Sequence, residues 1–309
     1  MSSNIDENFT ENYIKAGKAV IAAKELARKL TRPGVLFLEI AEKCEQEILN
    51  HGCELSFPIN ISLNEIAAHY SPPIGDKTLV PEKGLLKIDI GSHYKGYIAD
   101  SAITINLDGD PNLQNYCEAA EEGLNAAIDR FTPGTKLFEL GEAIANEITK
   151  RGLKPITNLG GHKLERYILH AGAFIPNFRE KRHSQILKPG DAYACEPFAT
   201  SGMGTVVNGQ DAFIYRFIKK KTKNISYDQL NYMNKLEKLT KRLPFSPRLL
   251  EKHKIIPTPK IDRILNIFLR KNIIDKYNVL IERTGAPVSQ FEHTIVIDLD
   301  GNTIVTTKK

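Results

Sequence analysis

The segment 87–105, KIDIGSHYKGYIADSAITI, predicts a β-hairpin in which two aspartates interrupt apolar runs. If the turn is centred on residues 93–96, Asp89 lies directly opposite Asp100, with Cβ atoms about 5 Å apart. Two unpaired carboxylates at that distance repel each other, and divalent cations between them remove the repulsion. The hairpin therefore predicts a metal-binding pair. The alternative is two aspartates on an exposed hairpin.

Three further residues have the chemistry to complete a metal site. Glu196 (YACEPFAT) and Glu292 (SQFEHTIVI) lie among apolar strand residues, and His162 follows two glycines (NLGGH). Taken singly, each is better explained as a salt-bridged, capping or core residue. Together with Asp89 and Asp100 they form an oxygen-rich set with one imidazole. Such a set favours Mn, Fe, Co or Zn over a structural thiolate site.

An internal repeat indicates how these residues are positioned. Segment 33–52 aligns without gaps on 133–152, with seven of twenty positions identical, and each copy has Pro-Gly before an amphipathic stripe and Gly after it. Helical patterns at about 11–30 and 112–130 precede the two copies. Strand-like segments follow, which predicts two related α+β halves with their helices packed on a shared antiparallel sheet. Strands are predicted at 85–90, 97–106, 192–199, 213–218, 278–282, 290–298 and 302–307.

Segment 219–276 differs from the rest of the chain in charge and pattern. It holds sixteen Lys/Arg and five Asp/Glu, a balance of +11, whereas the remainder has 26 basic and 32 acidic residues, a balance of −6. It shows two helical patterns, at about 227–242 and 259–272, and no clear strand. We therefore predict a basic helical insert at 219–276 within a main domain formed by 1–218 and 277–309.

Several functional classes are not supported by the sequence. No apolar run approaches the roughly 18 residues of a membrane span, and the polar, acidic N-terminal stretch predicts no signal peptide. The four cysteines form no CxxC pair, which favours reduced thiols and a cytoplasmic location. The motifs GxSxG, GxxxxGK, HExxH and GxGxxG are absent.

The order of these motifs resembles the methionine aminopeptidases over nearly the whole chain: Asp, a second Asp eleven residues later, GGH, Glu-Pro and QFEHT. The insert before the last glutamate-bearing strand resembles the insert of the type 2 subfamily. The lack of a polybasic N-terminal extension resembles the archaeal members of that subfamily. The resemblance implies the pita-bread fold, an α+β architecture with a pseudo-two-fold antiparallel sheet covered by helices. It also implies two divalent ions, Co, Mn, Fe or Zn, held by Asp89, Asp100, His162, Glu196 and Glu292.

The same resemblance implies roles for other side chains. Glu196 would act as general base, His170 (HKLERYILHAG) would stabilise the oxyanion, and His69 (NEIAAHYSPP) would contact the scissile bond. Phe57 and Phe198 match aromatics that line the family's methionine pocket. Without the resemblance both histidines are unremarkable and both phenylalanines are ordinary core residues.

The leading hypothesis is removal of initiator methionine from nascent proteins, with peptides and nascent chains carrying N-terminal Met as partners. One alternative is an X-Pro dipeptidase or aminopeptidase on the same fold, although 1–85 is too short and helical for the N-terminal domain those relatives usually carry. Another is a non-catalytic, nucleic-acid-associated protein on this scaffold. The basic insert is predicted either to contact the ribosome or to be a solvated wall of the cleft. We expect a monomer without membrane contact.

Overall fold

The computed structural model describes residues 8–221 and 223–309. The first seven residues of the polar N-terminal stretch, on which the signal-peptide prediction rests, lie outside this range. None of the helices in the described ranges is both long and apolar enough to cross a bilayer. The helices are α1 (Phe9–Leu30), α2 (Phe37–Asn50), α3 (Pro111–Ile128), α4 (Leu137–Lys150), α5 (Tyr227–Thr240), α6 (Pro247–Lys252) and α7 (Ile261–Arg270), with a 3-10 turn at Thr258–Lys260.

Seventeen strands occur in the described residues, and every strand pairing among them is antiparallel. They are β1 (Glu54–Leu55), β2 (Asn60–Leu63), β3 (Ile66–Ala68), β4 (Leu85–Tyr94), β5 (Tyr97–Asn106), β6 (Lys154–Pro155), β7 (Gly160–Lys163), β8 (Phe174–Pro176), β9 (Ala192–Cys195), β10 (Phe198–Thr200), β11 (Val206–Asn208), β12 (Ile214–Phe217), β13 (Ile274–Tyr277), β14 (Leu280–Glu282), β15 (Val288–Gln290), β16 (His293–Ile297) and β17 (Thr303–Val305).

Two large sheets carry the two halves of the chain. The first has the order β1-β4-β2, with β5 on the other edge of β4, and the second has the order β17-β16-β9-β7-β8. The sheets meet where the Glu292 amide, between β15 and β16, donates to the Ala102 carbonyl of β5 at 3.1 Å. The predicted pair of α+β halves is therefore built from two antiparallel sheets joined along β5 and β16.

Each half has its own helix pair and its own hydrophobic core. Helices α1 and α2 bury their apolar faces against β2, β4 and β5, and α3 and α4 pack in the second half with residues of β9 and β16. Helix α1 is alanine-rich on its buried face, which allows close approach to the sheet. At Gly17 the Thr306 backbone comes so near that a Cβ atom would lie 1.9 Å from its carbonyl oxygen. The C-terminal strand segment is thereby packed against α1.

The predicted insert is joined to the sheets by a strand pair. Strand β12 pairs with β13, with Ile214 opposite Tyr277, and helices α5, α6 and α7 enclose a separate core that includes Met233, Phe245 and Phe268. Two elements here were not predicted: β13, and α6 within the Pro-rich join PFSPRLL. The boundaries at 219 and 276 stay a prediction.

A buried ion pair connects the insert to the first half of the chain. The Arg248 guanidinium of α6 donates two hydrogen bonds, both 2.8 Å, to the carboxylate of Glu45 on α2. Its Nε donates to the Pro72 carbonyl at 2.7 Å, and both charged side chains are more than nine-tenths buried. A bidentate pair of this kind holds α6 against α2 and against the loop that follows β3.

We expect Arg248→Ala to lower the free energy of unfolding by about 3–5 kcal/mol, because it leaves the Glu45 carboxylate buried and unpaired. Denaturant unfolding of the purified protein measures this. The exposed Arg263, replaced by alanine in the same way, is the control and should change little. The double variant that also carries Glu45→Ala should be destabilised by less than the sum of the two single changes, and strict additivity would contradict the pairing.

Candidate metal centre

One cavity of about 220 Å³ lies between the two large sheets and the insert. It is lined by side chains from both halves of the chain and by residues that flank the insert. Every residue predicted from the sequence to hold metal or substrate is found in its wall, so the fold brings all of them together. These residues are Phe57, His69, Asp89, Asp100, His162, His170, Glu196, Phe198 and Glu292.

The five predicted metal ligands come from both sheets. Asp89 lies on β4 and Asp100 on β5 of the first sheet, whereas His162 lies on β7. Glu196 follows the last residue of β9, and Glu292 precedes the first residue of β16. Neither half therefore contains the complete set, and the cluster forms only where the sheets meet.

The register of the β4–β5 hairpin differs from the prediction. Asp89 pairs with Ala102, so Asp100 lies diagonally across from Asp89 and not directly opposite it. The predicted opposition is wrong because the turn consists of Lys95 and Gly96 alone, both with positive φ (52° and 91°), instead of four residues. A slip of two residues keeps a side chain on the same face of the sheet. Both carboxylates therefore still face the cavity.

Hydrogen bonds hold the backbone of the ligand-bearing segments. Thr294 Oγ1 accepts from the Asp100 amide at 2.7 Å and donates to the Asp100 carbonyl at 2.8 Å. Ser101 Oγ donates to the Glu292 carbonyl, and Lys24 of α1 donates to Ser101 Oγ at 2.7 Å. The main chain around Asp100 and Glu292 is thus anchored by protein groups, without the need for a bound ion.

The side chains of the cluster approach one another closely. The His162 Nε2 atom lies 3.6 Å from Asp100 Oδ2 and 3.9 Å from Glu196 Oε1. Asp100, His162 and Glu292 offer ligand atoms that all lie within 4.8 Å of one another. Gln290 Nε2 donates to Glu196 Oε2 at 3.3 Å. Such spacing is compatible with common ligands of one ion or of neighbouring ions.

Burial disfavours the charged forms of these side chains. Asp100, His162 and Glu292 are buried, and burial raises the pKa of Asp89 to about 7. Burial, reinforced by the neighbouring carboxylates, raises the pKa of Asp100, Glu196 and Glu292 well above the usual range. Burial also holds the pKa of His162 far below its ordinary value. Without a cation, the cluster would have to take up protons.

The donor set fits divalent metal ions. Asp89 Oδ1, Asp100 Oδ1 and Glu292 Oε2 are buried and have no hydrogen-bond partner among the described residues. Buried polar atoms rarely lack a partner, so their orphaned state indicates a ligand. Within the same ranges, His162 is the one basic side chain within 4.0 Å of these carboxylates. Four carboxylates with one imidazole suit Mn, Fe, Co or Zn.

Two further histidines flank the cluster. The ring centroid of His170 lies 4.3 Å from that of His162, and His170 lines the cavity while remaining partly exposed to solvent. His69 has a φ of 69°, an unusual conformation for a non-glycine residue that often accompanies a functional site. Its Nδ1 lies 3.1 Å from the Asn278 carbonyl, which can only accept, so Nδ1 carries the proton and Nε2 has a free lone pair. Burial lowers the pKa of His69, which keeps the ring neutral.

Sequence reasoning missed several residues that line this cavity or bond its side chains. Tyr277, the last residue of β13, has its ring centroid 5.4 Å from that of His69 and 6.1 Å from that of His170. Gln290 bonds Glu196 as described, and Asn60 lines the wall. Tyr277 and Asn60 lie in no motif, whereas Gln290 belongs to the quoted QFEHT segment and its polarity on an apolar strand was a usable signal. Apolar side chains complete the lining: Ala68, Leu159, Leu169, Phe174, Ile214 and Pro244.

Comparisons with known proteins agree with this site. The family model described as "Metallopeptidase family M24" matches residues 11–228. A methionine aminopeptidase from Pyrococcus horikoshii is 42% identical over 296 residues, which cover 96% of this chain and 99% of that protein. Identity at this level over nearly the full length of both proteins shows that they belong to the same family.

Solved structures give the same fold. A structure of a thermophilic Arx1 superposes with a TM-score of 0.84 at 16% identity, covering 98% of this chain and 91% of that one. A methionine aminopeptidase from Thermotoga maritima superposes with a TM-score of 0.72 at 19% identity, and all of both chains is covered. At these identities the structural likeness speaks for the fold alone. Together with the sequence matches, it establishes that this chain belongs to metallopeptidase family M24, among the methionine aminopeptidases with the pita-bread fold.

Proposed function

We infer that this chain removes methionine from the N-terminus of proteins and peptides by metal-dependent hydrolysis. The observation that carries the inference is the carboxylate–imidazole cluster in the cavity, in a chain 42% identical to a methionine aminopeptidase. The relative is named a methionine aminopeptidase and matches this chain over nearly its full length, which favours neither an X-Pro peptidase nor a non-catalytic scaffold. The unbridged, buried cysteines are compatible with a cytoplasmic enzyme, which we propose together with a monomeric state.

For the metal centre we propose two divalent ions. Asp89, Asp100, His162, Glu196 and Glu292 would hold them, with four carboxylates and one imidazole as the donor groups. When bound, the ions would lower the pKa of a water molecule and polarise the scissile carbonyl. The orphaned oxygens of Asp89, Asp100 and Glu292 support this assignment, because each needs a positive partner that the described residues do not supply.

The protein groups around the cluster have distinct proposed tasks. Glu196 would take a proton from the attacking water and pass it to the leaving amine, first as base and then as acid. Gln290, which donates to one Glu196 oxygen, would keep the other oxygen turned to the reaction. His170 would stabilise the developing oxyanion, and the free Nε2 of neutral His69 would meet the N–H of the scissile amide.

The apolar end of the cavity would select the methionine side chain. Phe57 and Phe198 are almost fully buried in its wall, and aromatic faces pack favourably against a thioether. At Gly91, opposite Asp100 on β4, any Cβ atom would lie 2.1 Å from the Phe57 ring, so the backbone there is shaped to admit the ring. The carboxylate end would then hold the free amine, which limits cleavage to the first residue.

Metal content and substrate preference together test the function. We expect the metal-loaded protein to cleave Met-Ala-Ser and Met-Gly peptides and to leave X-Pro peptides intact. Asp100→Ala should remain folded by circular dichroism yet lose most bound metal by mass spectrometry and most activity. Asp262→Ala, on the surface of α7, is the matched control. Preference for X-Pro peptides would overturn the substrate assignment, and full activity of Asp100→Ala would overturn the metal assignment.

The variant Glu196→Gln tests whether Glu196 acts as a base or only supplies an oxygen atom to the site. The amide keeps an oxygen in place but cannot take a proton, so kcat should fall by about 10²–10⁴-fold with a smaller change in KM. Steady-state kinetics on samples of measured metal content give the answer, and the exposed Glu165→Gln serves as control. An unchanged kcat at full metal occupancy would show that Glu196 is not the base.

For the insert we propose contact with ribosomal RNA phosphates near emerging nascent chains. Lys219 and Lys223 are exposed, and Tyr227, four residues after Lys223 in the sequence, has 85% of its surface exposed, a combination that suits phosphate binding and base stacking. Lys220, in contrast, forms an ion pair of 2.6 Å with Glu237. The competing proposal is that these lysines only solvate a wall of the cleft.

Salt-dependent co-sedimentation with ribosomes distinguishes the two proposals. We expect binding at low salt that weakens steeply toward physiological salt, and further loss when Lys219, Lys221 and Lys223 are changed to glutamate. Lys220 is kept because of its ion pair. Reversal of three exposed lysines outside the insert, Lys77, Lys83 and Lys181, is the charge-matched control. Both variants should cleave short Met-peptides normally. Equal loss of ribosome binding in the two variants, or no binding at low salt, would overturn the proposal of ribosome contact. The insert lysines would then only solvate a wall of the cleft.

A further inference from the structure

Asn60, the first residue of β2, is a buried polar side chain in the cavity wall to which the roles described so far assign nothing. Only 3% of its surface is exposed, and it lines the same cavity as the carboxylate cluster. Its neighbours along the chain, Ile59 and Ile61, are both fully buried, so the backbone on either side of it lies in the protein interior. A polar group in such a place requires hydrogen-bond partners.

The orientation of the Asn60 amide is determined by its neighbour. Its Nδ2 donates to the Pro58 carbonyl at 3.0 Å. Because a carbonyl oxygen can only accept, the amide nitrogen must be the atom that faces Pro58. Oδ1 is therefore the polar atom left over, and it is buried without a hydrogen-bond partner among the described residues. An unsatisfied buried acceptor costs about 1–3 kcal/mol, so a donor is expected when the cavity is filled.

The position of Asn60 identifies the kind of donor. In the β2–β4 pair Asn60 is directly opposite Asp89, and such partners have Cβ atoms about 4.5–5.5 Å apart on the same face of the sheet. The amide oxygen thus lies at the carboxylate end of the cavity, where every other side-chain oxygen is also an acceptor. The carboxylates here are assigned to cations, so Oδ1 is the acceptor that still needs a hydrogen-bond donor, and a primary amine has N–H bonds to donate. The methionine thioether has no hydrogen to donate and would leave Oδ1 unsatisfied.

We propose that Asn60 Oδ1 accepts a hydrogen bond from the N-terminal amine of the peptide substrate, and that this bond helps the site recognise a free N-terminus. The proposal rests on the proposed function, since it takes a peptide with a free amine as the ligand. It assigns Asn60 to substrate binding and leaves the metal ligands as described. The internal repeat supports a role specific to this half, because the corresponding position 100 residues later is Gly160, which has no side chain.

The test compares two ligands that differ only in the amine: L-methionine and its desamino analogue, 4-(methylthio)butanoic acid. Calorimetry or inhibition on the metal-loaded protein gives both affinities. In Asn60→Ala we expect methionine to bind about tenfold more weakly, with the desamino analogue changed less than twofold. For Met-peptides KM should rise while kcat changes little. Ser62→Ala, two residues along the same strand and outside the cavity lining, is the matched control and should change neither ligand.

Asn60→Ser keeps a hydroxyl able to bond Pro58 but removes the amide oxygen, so the same selective loss is expected if the alanine variant proves unstable. Metal content and thermal unfolding are measured for each variant. Equal weakening of both ligands would mean that Asn60 shapes the pocket and does not bind the amine, and unchanged affinity for methionine would likewise overturn the proposal. Failure of the proposed function would appear differently, as wild-type protein that does not cleave Met-peptides.

Discussion

The structure depends on one electrostatic constraint: four carboxylates and one imidazole share the wall of a single cavity. Ionised carboxylates this close and this poorly solvated repel one another, and the described residues supply no lysine or arginine within 4.0 Å to balance them. Bound cations would neutralise this repulsion, and the oxygen-rich set of side chains favours divalent metal ions. The fold brings these side chains together, because Asp89 and Asp100 come from one sheet and His162, Glu196 and Glu292 from the other.

The junction between the sheets is therefore the functional core of the molecule. The two hydrophobic cores lie on either side of it, each with its own helix pair, and neither contains the site. The junction is held by hydrogen bonds from the backbone and from hydroxyl groups, such as those of Thr294 and Ser101. These groups satisfy the main chain near the ligands, and the buried atoms left without partners among the described residues of the site belong to side chains, those of Asp89, Asp100 and Glu292 among them. A site organised in this way has its geometry before it receives its ligand, which lowers the ordering cost of binding.

Much of this arrangement was visible in the sequence because it depends on local pattern. The repeat found at 33–52 and 133–152 continues into the strands at the same spacing of 100 residues, so that β2 and β7 occupy matching positions. The helix pairs and most strands follow from periodicity and turn residues. The exact hairpin register did not, because turn length decides it and both turns suit the pattern. The two-residue error was harmless for the site because a sheet alternates its faces with period two.

What pattern does not predict is contact between distant segments. Nothing local indicates that Arg248 pairs with Glu45, 203 positions away, or that the Tyr277 ring contacts the His69 ring edge to face. The sequence around Asn60 does not predict its place in the cavity wall either, since an asparagine after Pro-Ile predicts a turn as readily as a buried strand residue. These residues share a cause: their partners are set by how the insert and the two sheets meet.

The position of His69 shows why the insert belongs to the site. Its left-handed backbone is a strained conformation of the kind that costs on the order of 1–3 kcal/mol and persists only when its surroundings hold it. On one side the Asn278 carbonyl, immediately after β13, binds the His69 ring. On the other, Arg248 of the insert binds the Pro72 carbonyl in the loop beyond it. The inner face of the insert is thus constrained by the geometry of the reaction centre. Its exposed lysines contact none of these groups, so the charge of the outer face is free to serve a separate interaction without altering the site.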